Sequence, residues 1–437
     1  MSSRRRQAFH LATLPTALIA CLVAVAPTLA VDAKTRRVSI SSGETQANRR
    51  SAYPSISADG RYVAFLSKAS DLVANDTNDE WDVFVRDRRQ GTTERVSISS
   101  AGGQATGLSW APSISADGRY VAFQSSASDL VANDTNGQHD VFVRDRQRGT
   151  TRRVSVTSAG GEAAGSSTSP SVSADGRYIA FVSYSSDLVA NDTNDTNDVF
   201  VRDRRARTTE RVSISSAGAQ GNGASRAPSI SADGRYVAFG SIASDLVAND
   251  TNKTDDVFVR DRRAGTTERV SISSAERQAT GYSYSGSISA DGRFVAFDST
   301  ADDLVAADIN RQRDIFLRDR QQGTTSRVSV SSTGGEAANH SFSPSISADG
   351  RYVAFTSYAS DLVADDTDRV DVFVRDRQQR MTRRISLSSA GGQANGDSHH
   401  PSISADGRYI AFESEASDLV ANDTNRKLDI FVRGPLR

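Results

Sequence analysis

A seven-bladed β-propeller, all-β with four antiparallel strands in each blade, is the fold this sequence predicts, and three observations carry the prediction. The string Ser-Ala-Asp-Gly-Arg occurs seven times, with its aspartate at Asp59, Asp117, Asp175, Asp233, Asp291, Asp349 and Asp406, so the spacing is 58 residues five times and 57 once. Each copy holds four short segments rich in Val, Ile, Phe and Tyr, separated by turn residues, as radially stacked four-stranded sheets require. The ends of the array are offset by one strand. A lone fourth strand precedes the first copy, and the last copy stops after its third. The N-terminal strand is therefore expected to complete the last blade and close the ring, which removes two exposed sheet edges. A β-solenoid has no use for that offset, and its turns usually take far fewer residues than 58.

The first segment is an address rather than a strand. Arg4, Arg5 and Arg6 precede an apolar run from Leu11 to Ala30, broken by Pro15 and Pro27. A positive start, a hydrophobic middle and small residues at the exit make residues 1–33 a signal peptide, with cleavage near Ala30 or Ala33. A retained membrane anchor is the competing reading, because the run approaches spanning length. Leu18-Ile19-Ala20-Cys21 also resembles a lipobox, which would leave the chain lipid-anchored at Cys21. The expected location is outside the cytoplasm, secreted or in the periplasm or cell envelope, as a monomer without a transmembrane segment in its mature form.

The propeller is expected over residues 36–433. In the first copy, strand a is read at Pro54–Ser57, and Ala58-Asp59-Gly60 turns the chain into strand b, Arg61–Ser67. Asp hydrogen-bonds nearby backbone and Gly takes positive φ without strain, as a tight hairpin needs. Strand c is read at Asp82–Arg88, and after Gly91 strand d at Thr92–Ser99. Apolar residues on both faces imply a sheet sandwiched between neighbours. The lone N-terminal strand is read at Arg37–Ser42 and the final strand c at Asp429–Arg433.

Composition excludes some functions. The 437 residues carry 52 Lys+Arg against 53 Asp+Glu, a net charge of −1, whereas a nucleic-acid binder needs surplus positive charge against phosphates. Cys21 is the single cysteine, so neither a disulfide framework nor a thiolate metal site is available.

Pro-Ser-Ile-Ser-Ala-Asp-Gly-Arg-Tyr-Val-Ala-Phe, followed by Asp-Val-Phe-Val-Arg-Asp, resembles the WD-like repeat of TolB-type propellers. The resemblance recurs in all seven copies. It implies an exported bacterial propeller acting as a protein-interaction scaffold. TolB itself has six blades and a separate N-terminal domain, and its loop between strands b and c is shorter, so its particular partners are not implied.

The b–c loop carries a D-x-N-x-x-x-D spacing. It is formed by Asp76, Asn78 and Asp82, then Asp134, Asn136 and Asp140, Asp192, Asn194 and Asp198, and Asp250, Asn252 and Asp256. Asp308, Asn310 and Asp314 follow, then the shortened Asp366, Asp368 and Asp371, and finally Asp423, Asn425 and Asp429. Alternating oxygen side chains are calcium ligands in other loops, although the Gly and bidentate Glu of the usual loop are missing here. The alternative is a purely structural set of Asx turns.

Residues that vary between copies are the candidates for recognition. The d–a loops carry Tyr53, Trp110, Arg226, Tyr282, Tyr284, His340, Phe342, His399 and His400, and the b–c loops add Trp81 and His139. Both sets are expected on one face, and aromatics and Arg are the residues that make binding hot spots. The leading expectation is a non-enzymatic scaffold binding a protein, peptide or glycan through that face. The alternatives are a calcium-stabilised structural envelope protein, or a hydrolase or lyase at the channel mouth using a His as base, oriented by Asp397.

Overall fold

The computed structural model describes residues 33–436. The leader, its cleavage positions and the Cys21 lipobox lie outside the described residues. Among the described residues no helix is long and apolar enough to cross a membrane.

Seven four-stranded antiparallel sheets form the ring. In the first blade strand a is Ser51–Ile56, b is Tyr62–Ser67, c is Asp82–Asp87 and d is Thr92–Arg95. The seventh blade takes its first three strands from Ser398–Ile403, Ile410–Ser414 and Asp429–Gly434, and its fourth from Lys34–Arg37. The pairing of Lys34 with Gly434 and of Arg37 with Phe431 closes the ring as the offset predicts.

Strand a starts earlier than its sequence suggests. Ser51 pairs with Ser67 and Ala52 with Leu66, then the register slips by one before Ser55 meets Ala64. Tyr53 and Pro54 together oppose Phe65, which is a β-bulge, and a bulge tolerates the proline that a regular strand would reject. Strand d ends earlier than expected, because after Val96 the chain leaves the sheet for an isolated bridge between Ile98 and Gln104.

Blade packing is apolar and repetitive. Phe65 and Phe84 stack at 5.9 Å, fully buried, and each later blade repeats the pair. Val83 and Val85 of blade one pack with Val121 and Phe123 of blade two, so each core is shared by neighbours. Polar contacts then order the ring. The Ala58 N–H donates to Ala116 O at 3.0 Å, the relation repeats from turn to turn, and the Ala405 N–H returns to Ala58 O at 3.0 Å.

The Asp-Gly turns have a structural task. Asp59 Oδ1 accepts from the Arg61 N–H at 2.9 Å and from the Ser57 hydroxyl at 2.8 Å. Gly118 sits at φ +72°, and a Cβ there would lie 2.1 Å from the Tyr62 ring of the preceding blade. Glycine is needed for the backbone and for the neighbour.

Candidate functional site

The b–c loops hold a cation of the protein's own. Arg95, from strand d, places its Nη1 at 3.1 Å from Asp76 Oδ1 and 3.3 Å from Asp82 Oδ2. Gln104 Nε2 donates to the same two carboxylates at 2.8 and 3.1 Å. Asn78 donates to Ala105 O at 2.8 Å and accepts from the Glu80 N–H at 3.1 Å, which is the Asx-turn behaviour. The other blades repeat the arrangement around Arg153, Arg211, Arg269, Arg327, Arg384 and Arg37. Even the tightest acidic group, Asp134, Asp140 and Glu162, converges on Arg153. These donor sets as folded do not fit a calcium ion, because a guanidinium stands where the ion would have to sit.

The channel mouth is built by the bulges. Tyr53-Pro54, Ala111-Pro112, Ser169-Pro170, Ala227-Pro228, Ser343-Pro344 and His400-Pro401, with Gly286 in blade five, surround a cavity of about 400 Å³. A larger groove, about 1060 Å³, runs beside Arg36, Arg86 and Arg88 near the start of the described chain and contains none of the aromatic candidates. Tyr53 and His400 adopt φ of 51° and 50°, left-handed values that non-glycine residues seldom take. The bulge turns these side chains toward the cavity instead of letting them alternate along the strand.

The candidates from five blades join into one arc. Trp81 meets Trp110 edge-on at 5.5 Å, Trp110 meets Tyr53 at 5.8 Å, and Tyr53 meets His400 at 4.7 Å. His400 and His399 are 6.2 Å apart, and His399 lies 6.5 Å from Phe342. Phe342 touches Tyr358 at 5.6 Å, and the Arg313 guanidinium bridges onward, 5.9 Å from Phe342 and 4.3 Å from Tyr284. Tyr282 ends the arc, 6.3 Å from Tyr284. Blades three and four place Thr168 and Ser169, and Arg226 and Ala227, in the equivalent places, so the rings of strand a line only part of the mouth. Tyr184 and Ile242 stand exposed after strand b of these two blades.

Three candidates stand outside the ring-to-ring chain. Arg226 pairs with Asp255 in blade four. His340 Nδ1 accepts the Arg313 N–H at 3.0 Å. His139 adjoins strand c of blade two, its carbonyl accepting the Ser167 N–H at 2.6 Å. Among the described residues the histidines therefore do not converge as a metal set.

Sequence reasoning missed the carboxylates beneath the arc. Glu413 is 5% exposed, with Oε1 at 2.9 Å from His400 Nδ1 and Oε2 accepting the Tyr53 N–H at 2.7 Å, so it ties blade seven to blade one. It takes the orienting place expected of Asp397, whose Oδ1 instead accepts the Val370 N–H at 3.3 Å. Gln124 accepts the Ser169 N–H at 2.9 Å in the same manner. Asp298 caps the Ser343 N–H and pairs with Arg313, and burial pushes its carboxyl up to about 6 although Arg313 opposes the rise. Burial also lowers the His399 pKa, with His400 adding to the effect. All three caps occupy the position of strand b between Phe and Ser, where other copies have Leu66, Val182, Gly240 and Thr356. Aligning the copies at that one position would have shown polar residues in an otherwise apolar strand.

No family model matches this chain, and no curated protein does. Solved structures do. An oligogalacturonate lyase in complex with manganese is 14% identical, with 93% of this chain and 94% of that chain covered and a TM-score of 0.56. The β-propeller domain of the Trilobed protease from Pyrococcus furiosus is 11% identical over 88% and 94% of the two chains, with a TM-score of 0.53. A putative TolB from Agrobacterium tumefaciens is 16% identical over 79% and 95%, with a TM-score of 0.42. The first two likenesses agree with the fold, and the chain is a seven-bladed β-propeller.

Proposed function

We propose that the protein is an exported, non-enzymatic binding propeller that takes its ligand at the channel mouth, on the arc from Trp81 to Tyr282. The observation that supports this most is the asymmetry of a repeated fold. Among seven near-identical blades, five contribute rings that join into one contiguous arc, while strand a of blades three and four presents Thr168, Ser169, Arg226 and Ala227 instead. Tyr53 is 39% exposed, Tyr358 45% and Tyr282 50%, and aromatic residues so placed on a rigid scaffold are typical anchors of recognition. The leader-like residues 1–33 are the basis for export.

The test is capture from the producing cell's envelope and secreted fractions by the immobilised protein, against a variant with Trp110, Tyr284, His399 and His400 changed to Ala and melting at the parent's temperature. A partner held by the parent and lost by the variant supports the site. A partner held equally by both moves it elsewhere.

One observation favours a hydrolase or lyase as the second reading. His400 is held at the mouth by a buried carboxylate, the arrangement a general base needs. Turnover of an oligosaccharide or peptide that His400→Ala abolishes would establish it.

A further inference from the structure

We infer that the aromatic arc seats a neutral, linear oligosaccharide, with sugar rings lying against Trp110, Tyr53 and Phe342 and hydroxyl groups meeting the polar edges of His399 and His400. The inference rests on the reading that the mouth is the ligand seat, and it names what sits there.

Four features of the mouth lead to that class of ligand. The first is chemical duality. A pyranose has an apolar C–H face and a rim of hydroxyls, and the arc offers ring faces edged by indole N–H, phenol O–H and imidazole nitrogen. A purely apolar ligand would leave those edges unpartnered, at a cost in free energy.

The second is extent. The arc draws on five of the seven blades, each neighbour 4.7–6.5 Å from the next along its ring-to-ring part. One monosaccharide spans a single such interval, whereas a chain of sugars can follow several.

The third is charge. The ionic side chains of the mouth are committed to partners on the protein, Glu413 to His400, Arg313 to Asp298 and Arg226 to Asp255. Freeing a buried group from its partner leaves it uncompensated, which works against an ionic ligand.

The fourth excludes a common way of binding peptides. An extended peptide adds to a sheet edge through main-chain hydrogen bonds. The inner edges here are bulged, and six of the seven carry a proline without an N–H, from Pro54 to Pro401.

The experiment is calorimetric titration of the full chain with hexamers of β-1,4-glucose, β-1,4-N-acetylglucosamine, α-1,4-glucose and β-1,3-glucose. Hexagalacturonate serves as the charged counterpart, and a proline-rich decapeptide as the peptide one. Trp81 and Trp110 are the chain's only tryptophans, so intrinsic fluorescence reports the same site independently. At least one neutral hexamer is expected to bind, at least tenfold more tightly than its dimer. Tyr53→Ala and Trp110→Ala are each expected to weaken it at least tenfold, while Tyr184→Ala, on blade three outside the arc, leaves it unchanged.

Absence of binding by every neutral hexamer overturns the inference, and so does hexagalacturonate binding as tightly as a neutral hexamer. If the decapeptide alone binds and depends on Tyr53, the oligosaccharide is wrong while the seat stands. If the fourfold alanine variant retains the captured partner, the seat itself is wrong.

Discussion

Replacing Glu413 tests the seam between the last and first blades. Glu413→Leu installs the side chain that blade one carries at the same position, Leu66, so the strand itself tolerates it. The Tyr53 N–H, bound to Glu413 at 2.7 Å, loses its acceptor, and His400 loses its carboxylate. A buried donor left unsatisfied costs about 1–3 kcal/mol, and added apolar burial returns part of that, leaving a net loss of about 2 kcal/mol. With an unfolding entropy of ~2.1 cal/mol/K per residue over about 400 residues, that loss lowers Tm by about 2–3 °C. Glu413→Gln keeps an acceptor for Tyr53 and a donor for His400, so it is expected within about 1 °C of the parent on the same scale. Differential scanning calorimetry at pH 7 distinguishes them. If the leucine variant melts at or above the parent, the bridge contributes nothing and the reasoning is wrong. If the glutamine variant falls as far as the leucine one, charge rather than hydrogen bonding holds the seam.

Three further outcomes are expected. Tm is expected to be the same in EDTA and in excess calcium, whereas Arg95→Met, which leaves Asp76 and Asp82 facing each other, is expected to cost about 3–5 kcal/mol in chemical denaturation; a calcium-dependent rise in Tm would contradict the first part. Stability is expected to peak at or slightly below about pH 4. Burial raises Asp140 and Asp308 to about 6 in the folded chain, so between their ordinary 3.8 and about 6 the folded state holds more protons and stability falls as pH rises. The hydrogen bond from Arg235 holds Asp261 at about 2, so below 3.8 the unfolded state holds more protons and stability falls as pH drops. Melting temperatures that climb steadily from pH 4 to pH 8 would refute this balance. Gly118→Ala is expected to destabilise by at least about 2 kcal/mol, through both φ and the Tyr62 ring. Gly102→Ala, at φ +86° with open space around its Cβ position, is expected to cost only about 1 kcal/mol of backbone strain. Equal losses in urea unfolding would show that the interblade contact is unimportant.

The sequence by itself determined the blade number, the strand order within a blade and the closure by the N-terminal strand. These follow from local patterns, such as the turn chemistry of Asp59-Gly60 and the repeating Val-Phe-Val of strand c, which recur unchanged and need no knowledge of distant residues. Strand limits were less legible, because the bulge at Tyr53-Pro54 admits a proline that local rules place at a strand's start. Recognition candidates such as Trp110 and His400 were visible as departures from the repeat, but their assembly was not. Glu413 meets Tyr53 across 360 positions of chain, and only ring closure brings them together. The same holds at closer range for Arg95, a residue within the expected strand d that fills the place the Asp and Asn spacing offered to calcium. Periodicity reports which face of a strand is apolar. Which side chains meet across blades depends on how the sheets pack and where the bulges turn them, and that only the tertiary structure decided.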